Sequence, residues 1–433
     1  MTRREIEEVI SRAAREVEGF HPPAWKKTAA QYSAPALYGF CDWVIEQAHR
    51  AGQKRLYFLA RDGYLLREIS DALAQARGYE IECRYLYASR LAWRLPAWHL
   101  IGKEETIQQI FSRAYAAAPR AVFARMRASE EECRRFAAAA GIAFSALDQV
   151  ISPAALRRME LILRNDVEFM RVLMKKSREA YAPAVEYFRQ EGLLDGSPVV
   201  LVDTGWTGSM QRTLRQLLES AGFHAELSGY YFGLYQSPAE EKDGVYRAWY
   251  FDRESPARVK AKFNNNVLES MLPAPHPMTA GYAYQGEKLV PAWNDRKNTG
   301  WRPGYEKTVL EVCRKLDSAL FSQDGQKLLD CVRRRMEKLC FAPGREEVLG
   351  LSGCFFSDDM SEACLRPLAG AVTQEEAERY AFFRRFQNRK RTDGAAQAEL
   401  FWPYGSFALS PIRFRQWYRM NVYLWDWLRL SRM

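Results

Sequence analysis

The stretch VVLVDTGWTGSMQ, Val199 to Gln211, decides how this chain is read. Val199–Val202 is a run of four apolar residues after the turn Asp195-Gly196-Ser197-Pro198. It is short and rich in β-branched residues, as a strand buried on both faces should be. Asp203 ends the run. Thr204, Gly205, Trp206, Thr207, Gly208 and Ser209 then read as a loop, and MQRTLRQLLESAG (210–222) carries helical periodicity up to Gly222. The same order occurs earlier. RLYFLA (55–60) reads as a strand, Arg61-Asp62-Gly63 as a loop, YLLREISDALAQAR (64–77) as a helix closed by Gly78, and IECRYLY (81–87) as a second strand ahead of Ala88-Ser89-Arg90. ELSGYYFGLY (226–235) adds a further strand. Strand–loop–helix–strand units of this kind build a parallel sheet covered by helices on both faces. The expected fold class is therefore α/β, a three-layer parallel sheet with a helical insertion and a helical C-terminal region.

Outward from these units, residues 1–30 form an N-terminal segment whose helix stops at His21-Pro22-Pro23. Residues 31–103 hold the first part of the α/β domain, with a helix over Ser33–Ala51. Residues 104–194 read as a helical insertion, marked by the capping box Ser129/Glu132 and by Ser152-Pro153 as cap and first helical position. Residues 195–300 form the second part of the α/β domain, and 301–433 a helical C-terminal region with a basic, aromatic tail. The chain has 433 residues, 48% of them hydrophobic and 27% charged, which excludes a disordered or collagen-like chain. The eight cysteines include no Cys-x-x-Cys pair, and the five histidines form no ligand pair, so a zinc module is not expected. No apolar stretch is long enough for a transmembrane helix or follows the charged N-terminus as a signal peptide would, so the expected location is the cytoplasm.

Two loops carry the expected chemistry. A helix N-terminus presents unpaired N–H groups and the positive end of the helix dipole, and glycines let backbone approach an anion. Thr204, Gly205, Thr207, Gly208 and Ser209 thus form a candidate phosphate cradle, the alternative being a plain turn with Thr207 or Ser209 as the helix cap. Arg61 and Arg90, at two further strand ends, could clamp the same phosphate. Asp62 and Asp203 stand at carboxyl ends of strands, where open α/β sheets bind ligands, and are candidates to hold Mg²⁺, to bind sugar hydroxyls or to act in catalysis. The alternative for Asp62 is a helix cap paired with an arginine. A third stretch, FNNNVLESMLPAPHPMTAGY (263–282), offers Glu269 as a general acid/base candidate. Its His276 reads as a solvated loop residue. No P-loop, GxSxG or GxGxxG is present.

The net charge of +10 is uneven: from Arg384 onward there are ten basic and three acidic side chains. Such a balance favours anionic partners. Arg384–Arg391 lies in no recognised nucleic-acid module, and nucleic acid is not an expected partner. PIRFRQWYRMNVYLWDWLRLSRM (411–433) reads as a helix with Arg415, Arg419, Asp426 and Arg429 within an arc of roughly 80°. It is either a buried terminal helix with that arc as its wet stripe or an interfacial helix at the inner face of a membrane.

The segments GFCDWVIEQAHRAGQKRLYFLARDGYLL (39–66), YLYASR (85–90), VVLVDTGWTGSMQRTLRQLL (199–218) and LESMLPAPHPMTAGY (268–282) also carry a resemblance. In order and spacing they resemble the conserved region downstream of the HAD-type hydrolase domain in large bacterial proteins of capsule and surface-polysaccharide synthesis, over about residues 33–290. In such proteins the hydrolase's catalytic motif lies in the upstream domain, and neither Asp62 nor Asp203 belongs to an Asp-x-Asp triplet. The strand-acid-Thr-Gly order at 199–208 is also similar to the sugar-phosphate loop of type I phosphoribosyltransferases, with a shorter loop and without the second adjacent acid. The resemblance implies polysaccharide assembly, a phosphorylated sugar or nucleotide sugar as ligand, and a glycosyltransferase as partner. The chain is thus a candidate sugar-phosphate transferase or phosphohydrolase. The second expectation is a non-catalytic module that docks polysaccharide enzymes at the membrane surface.

Overall fold

A strand that is apolar at every position must be covered on both faces. The computed structural model meets that demand with helices on each side of one sheet. The structure describes residues 1–432 other than 113–117, 237–243, 295–301, 358–359, 361, 363–364 and 386–399. Most of the basic run Arg384–Arg391 thus lies outside the described residues. In chain order, the elements on and around the sheet are α1 (Arg3–Glu18), α2 (Ala34–Arg50), β1 (Arg55–Leu59), α3 (Gly63–Arg77), β2 (Glu82–Leu86), α4 (Arg90–Ala97) and α5 (Val167–Gln190). They continue with β3 (Val199–Trp206), α6 (Ser209–Ser220), β4 (Leu227–Leu234), β5 (Val245–Phe251), β6 (Thr279–Gln285), β7 (Lys288–Trp293), α7 (Tyr305–Leu320), α8 (Gly325–Phe341) and α9 (Arg415–Leu430).

The five-stranded sheet runs β2-β1-β3-β4-β5, and every neighbouring pair is parallel. Alternation sorts its side chains into two cores. Leu56, Phe58, Val200, Val202 and Phe232 face α2 and α3, with α7, α8 and α1 packed behind them. Tyr57, Leu59, Val199 and Leu201 face α4, α5 and α6 through Trp93, Tyr187, Phe188, Leu214 and Leu217. The α/β, three-layer parallel arrangement is therefore present.

Several local expectations differ from what the structure contains. β3 does not stop at Asp203 but continues through Trp206, with Gly205 paired to Gly233 and Trp206 to Leu234 of β4. A Cβ on Gly205, whose φ is +131°, would stand 2.0 Å from the Gly233 carbonyl oxygen. Close strand approach thus requires this glycine. Between α4 and α5, the helices of 103–163 pack around a second core that includes Trp98, Phe123, Phe136 and Leu163. α5 joins both cores: Phe169, Val172 and Leu173 pack with these helices, and Ala184, Tyr187 and Phe188 with the strands. The edge strand β5 and the antiparallel β6–β7 hairpin were not visible in the residue pattern.

The layer above α2 and α3 is pinned by one buried guanidinium. Arg77, at the end of α3, has a side chain 1% exposed. It reaches Asp42 at 2.7 Å and Glu46 at 3.1 Å on α2, and also Asp317 on α7. Removing one member of a buried charge network leaves the others uncompensated. Arg77→Met is expected to cost about 3–5 kcal/mol of unfolding free energy, read from the urea midpoint.

Candidate functional site

In a sheet of order 2-1-3-4-5 the direction of strand addition reverses between β1 and β3. Their following helices leave for opposite faces, which opens a crevice at the carboxyl edge. Here α3, after β1, lies on one face and α6, after β3, on the other. The Asp62 and Asp203 carboxyls stand on the two sides of this point. Thr204 touches both: its hydroxyl donates to Asp62 Oδ2 at 2.6 Å and its backbone N–H donates to Asp203 Oδ1 at 2.9 Å. Asp62 occupies the cap position of α3 but makes no side-chain capping hydrogen bond. Its carboxyl is turned toward β3 instead. Gly63 lets α3 begin this close to the sheet, because a Cβ there would meet the Phe58 carbonyl carbon at 2.6 Å.

Glu269 joins the two aspartates from the five-residue helix Asn265–Glu269. Its Oε1 accepts the Trp206 indole N–H at 2.7 Å. Trp206 is the last residue of β3, so the strand's continuation past Asp203 is what holds this carboxylate. The asparagine run has a structural reason. Asn264 caps the short helix through Val267 N–H, and the side-chain amides of Asn264 and Asn266 both donate to the Phe401 carbonyl, at 2.9 and 3.1 Å.

All three carboxyls are half-buried, and each holds its proton more tightly than usual. Burial raises Asp62, against the Thr204 hydroxyl and the Arg61 charge. Burial and then the Asp62 charge raise Asp203 well above the ordinary carboxylate range, with Glu269 adding to the effect. Burial and then Asp62 push Glu269 up to about 7, against the Trp206 N–H, Arg90 and Asn265. Like charges sharing one site titrate as a set, so these raised values belong to the cluster as well as to each residue.

The remaining expected residues fall into place less directly. Arg61 stands beside Asp62 but forms an ion pair with Glu362, whose other oxygen accepts from Asn294 at 3.1 Å. Arg90 begins α4, and its charge is felt by Glu269. Thr204 and Gly205 belong to the strand and serve the carboxylates and the ladder. Neither Thr207 nor Ser209 caps α6. Gly208 does so, with a left-handed φ of +66° and no side-chain hydrogen bond, leaving Thr207-Gly208-Ser209 as a bare helix entry.

The sequence did not reveal an aromatic wall next to the carboxylates. Tyr85 and Tyr87 lie two residues apart at the carboxyl end of β2, with ring centroids 5.2 Å apart. His276 packs against both, at 5.6 and 5.2 Å, and against Trp293 at 4.9 Å. Tyr64 meets Tyr85 at 5.7 Å. His276 is therefore no solvated loop residue. Burial lowers its pKa, Nδ1–H donates to the Pro277 carbonyl at 2.7 Å, and Nε2 accepts the Tyr85 hydroxyl at 2.7 Å. The one available signal was the period-two spacing of Tyr85 and Tyr87.

Among the described residues no group of three or more His, Cys, Asp or Glu side chains is arranged to hold a metal ion. Asp62 and Asp203 alone match the way Mg²⁺ is commonly held, by one or two carboxylates with substrate phosphates completing the shell. Recesses of about 300 and 500 Å³ elsewhere, one beside Leu91 and Lys176 and one beside Trp43 and Glu46, do not touch the three carboxylates. No protein-family model matches the chain, and a search of curated proteins returns no match.

The raised Glu269 pKa fixes the sign of a pH effect. Its folded value, about 7, lies above its ordinary 4.5, so the folded state binds the extra proton. That contribution to stability is full below 4.5 and is lost as pH rises toward about 7. Glu269→Gln is expected to gain stability relative to the parent chain progressively through that window, as shown by paired thermal melts. Asp203→Asn should shift in the same direction.

Proposed function

We propose that the crevice between β1 and β3 binds a phosphorylated sugar or nucleotide sugar and supports phosphoryl or glycosyl transfer in bacterial surface-polysaccharide assembly. The observation that carries this reading is the convergence of Asp62, Asp203 and Glu269, from three separate parts of the chain, on the carboxyl edge of the sheet at the reversal of strand order. Core packing gives no reason to gather three acids there, and their mutual repulsion opposes it. The resemblance to the capsule-synthesis region supplies the pathway.

In this reading Glu269, which titrates near neutrality, gives and takes the proton at the attacking or leaving oxygen. Trp206 and Asn265 hold its carboxyl in place. Asp62 and Asp203 hold sugar hydroxyls or a Mg²⁺ brought in with the substrate's phosphates, and such an ion would neutralise charge on those phosphates. The bare entry of α6 at Thr207-Gly208-Ser209 and the Arg90 side chain take phosphate oxygens, with Arg61 joining once it exchanges Glu362 for the substrate. The wall of Tyr85, Tyr87 and Trp293 offers ring faces against which a sugar or base can lie.

Calorimetry with a panel of sugar phosphates and nucleotide sugars, with and without Mg²⁺, tests this. The full chain should release heat with at least one ligand, more strongly with Mg²⁺, and Asp203→Asn should lose that heat while still melting cooperatively, at no lower a temperature than the parent. A folded protein that binds none of the panel would reject the proposal.

A further inference from the structure

We infer that the exposed face of α9 is a seat for an anionic lipid surface. The structure shows how this helix packs and which side chains it leaves exposed. The predicted wet stripe is partly occupied: Arg419 is half-buried, donates to the Phe341 carbonyl and stands over the Phe341 ring at 5.7 Å. The helix is anchored through Tyr418, Asn421, Val422 and Leu430, which are buried. Tyr418 also accepts from Gln374 at 2.8 Å, and Asn421 accepts the Phe382 N–H at 2.8 Å. Anchored in this way, α9 turns large apolar side chains outward. Trp417 is 52% exposed, Met420 48%, Leu424 44% and Trp427 39%, and Phe414, just ahead of the helix, is 75% exposed.

At 100° per residue, Trp417, Met420, Leu424 and Trp427 fall within an arc of roughly 80°, one continuous ridge along the helix. Phe383, 79% exposed, adds a further ring from the neighbouring segment, where Phe382 packs on Trp425. Contiguous apolar surface of this kind marks an interaction site. Charge then selects the partner. Exposed Arg413 precedes the helix and exposed Arg432 follows it, one beyond each end of the ridge, while Arg415 and Arg429 lie on the other side of α9. Asp426, the one acid on the helix, is within 3.6 Å of Arg429. A second copy of this helix laid along the ridge, parallel or antiparallel, would set arginines against arginines. An anionic bilayer surface instead takes tryptophan, methionine and leucine into the headgroup boundary and places phosphates beside the guanidinium groups. No helix among the described residues is long and apolar enough to cross a membrane, so the contact is peripheral.

Flotation of the full chain with vesicles of equal parts phosphatidylcholine and phosphatidylglycerol tests this, beside vesicles of phosphatidylcholine alone. Binding should require the anionic lipid and weaken as salt is raised. Because both replaced side chains are exposed, the double variant Trp417→Ser/Leu424→Ser should keep its melting transition while its apparent affinity falls by about tenfold or more. Three outcomes would overturn the assignment: a parent chain that floats with neither vesicle, equal flotation of the double variant, or a concentration-dependent dimer in sedimentation that the double variant abolishes. The last would make the ridge a self-interface.

Discussion

The structure turns on the pairing of β1 with β3. These strands lie side by side and parallel, in register at Tyr57–Leu201 and Phe58–Val202, although more than a hundred residues separate them. A right-handed crossover from β1 through α3 carries the chain to one side of the sheet. The crossover from β3 through α6 carries it to the other. The two loops that leave this pair therefore diverge at the carboxyl edge of the sheet, the place where open α/β sheets generally bind ligands. That topology, rather than any property of the acids themselves, brings Asp62 and Asp203 within the reach of one threonine.

Two acidic clusters in this chain show opposite electrostatic solutions. Around Arg77, three carboxylates share one buried guanidinium, and the group ties α2, α3 and α7 together. At the crevice, three carboxyls are met chiefly by neutral donors: the Thr204 hydroxyl, the Thr204 amide and the Trp206 indole. Burial outweighs these donors and makes each of them harder to ionise. The first arrangement binds elements together. The second costs stability as pH rises toward neutrality, since each carboxyl is harder to ionise in the folded state.

α9 shows how packing can draw one charged side chain inward. Its sequence places arginines on one stripe, and charge alone assigns that stripe to water. The carbonyl of Phe341 and the ring beside it recruit Arg419 inward, as guanidinium groups with long apolar stems permit. With Tyr418 and Asn421 already committed to Gln374 and Phe382, the rotation of the helix about its axis is set, and the tryptophan ridge follows.

What the residues determined by themselves was local. Apolar runs at 56–59 and 199–202 specified strands buried on both faces, and Gly78 specified where α3 ends, because periodicity and backbone allowance are properties of a few neighbouring residues. The α/β class follows from the order of such segments. Tertiary structure decided the rest. It carried β3 on through Trp206 because β4 offered Gly233 and Leu234 as partners, gave Gly205 a packing reason, and joined Arg61 to Glu362. It also built the wall of Tyr85, Tyr87, His276 and Trp293 from segments up to about two hundred residues apart in sequence. Contacts between distant segments depend on which faces meet after folding, and no local window of sequence contains that information.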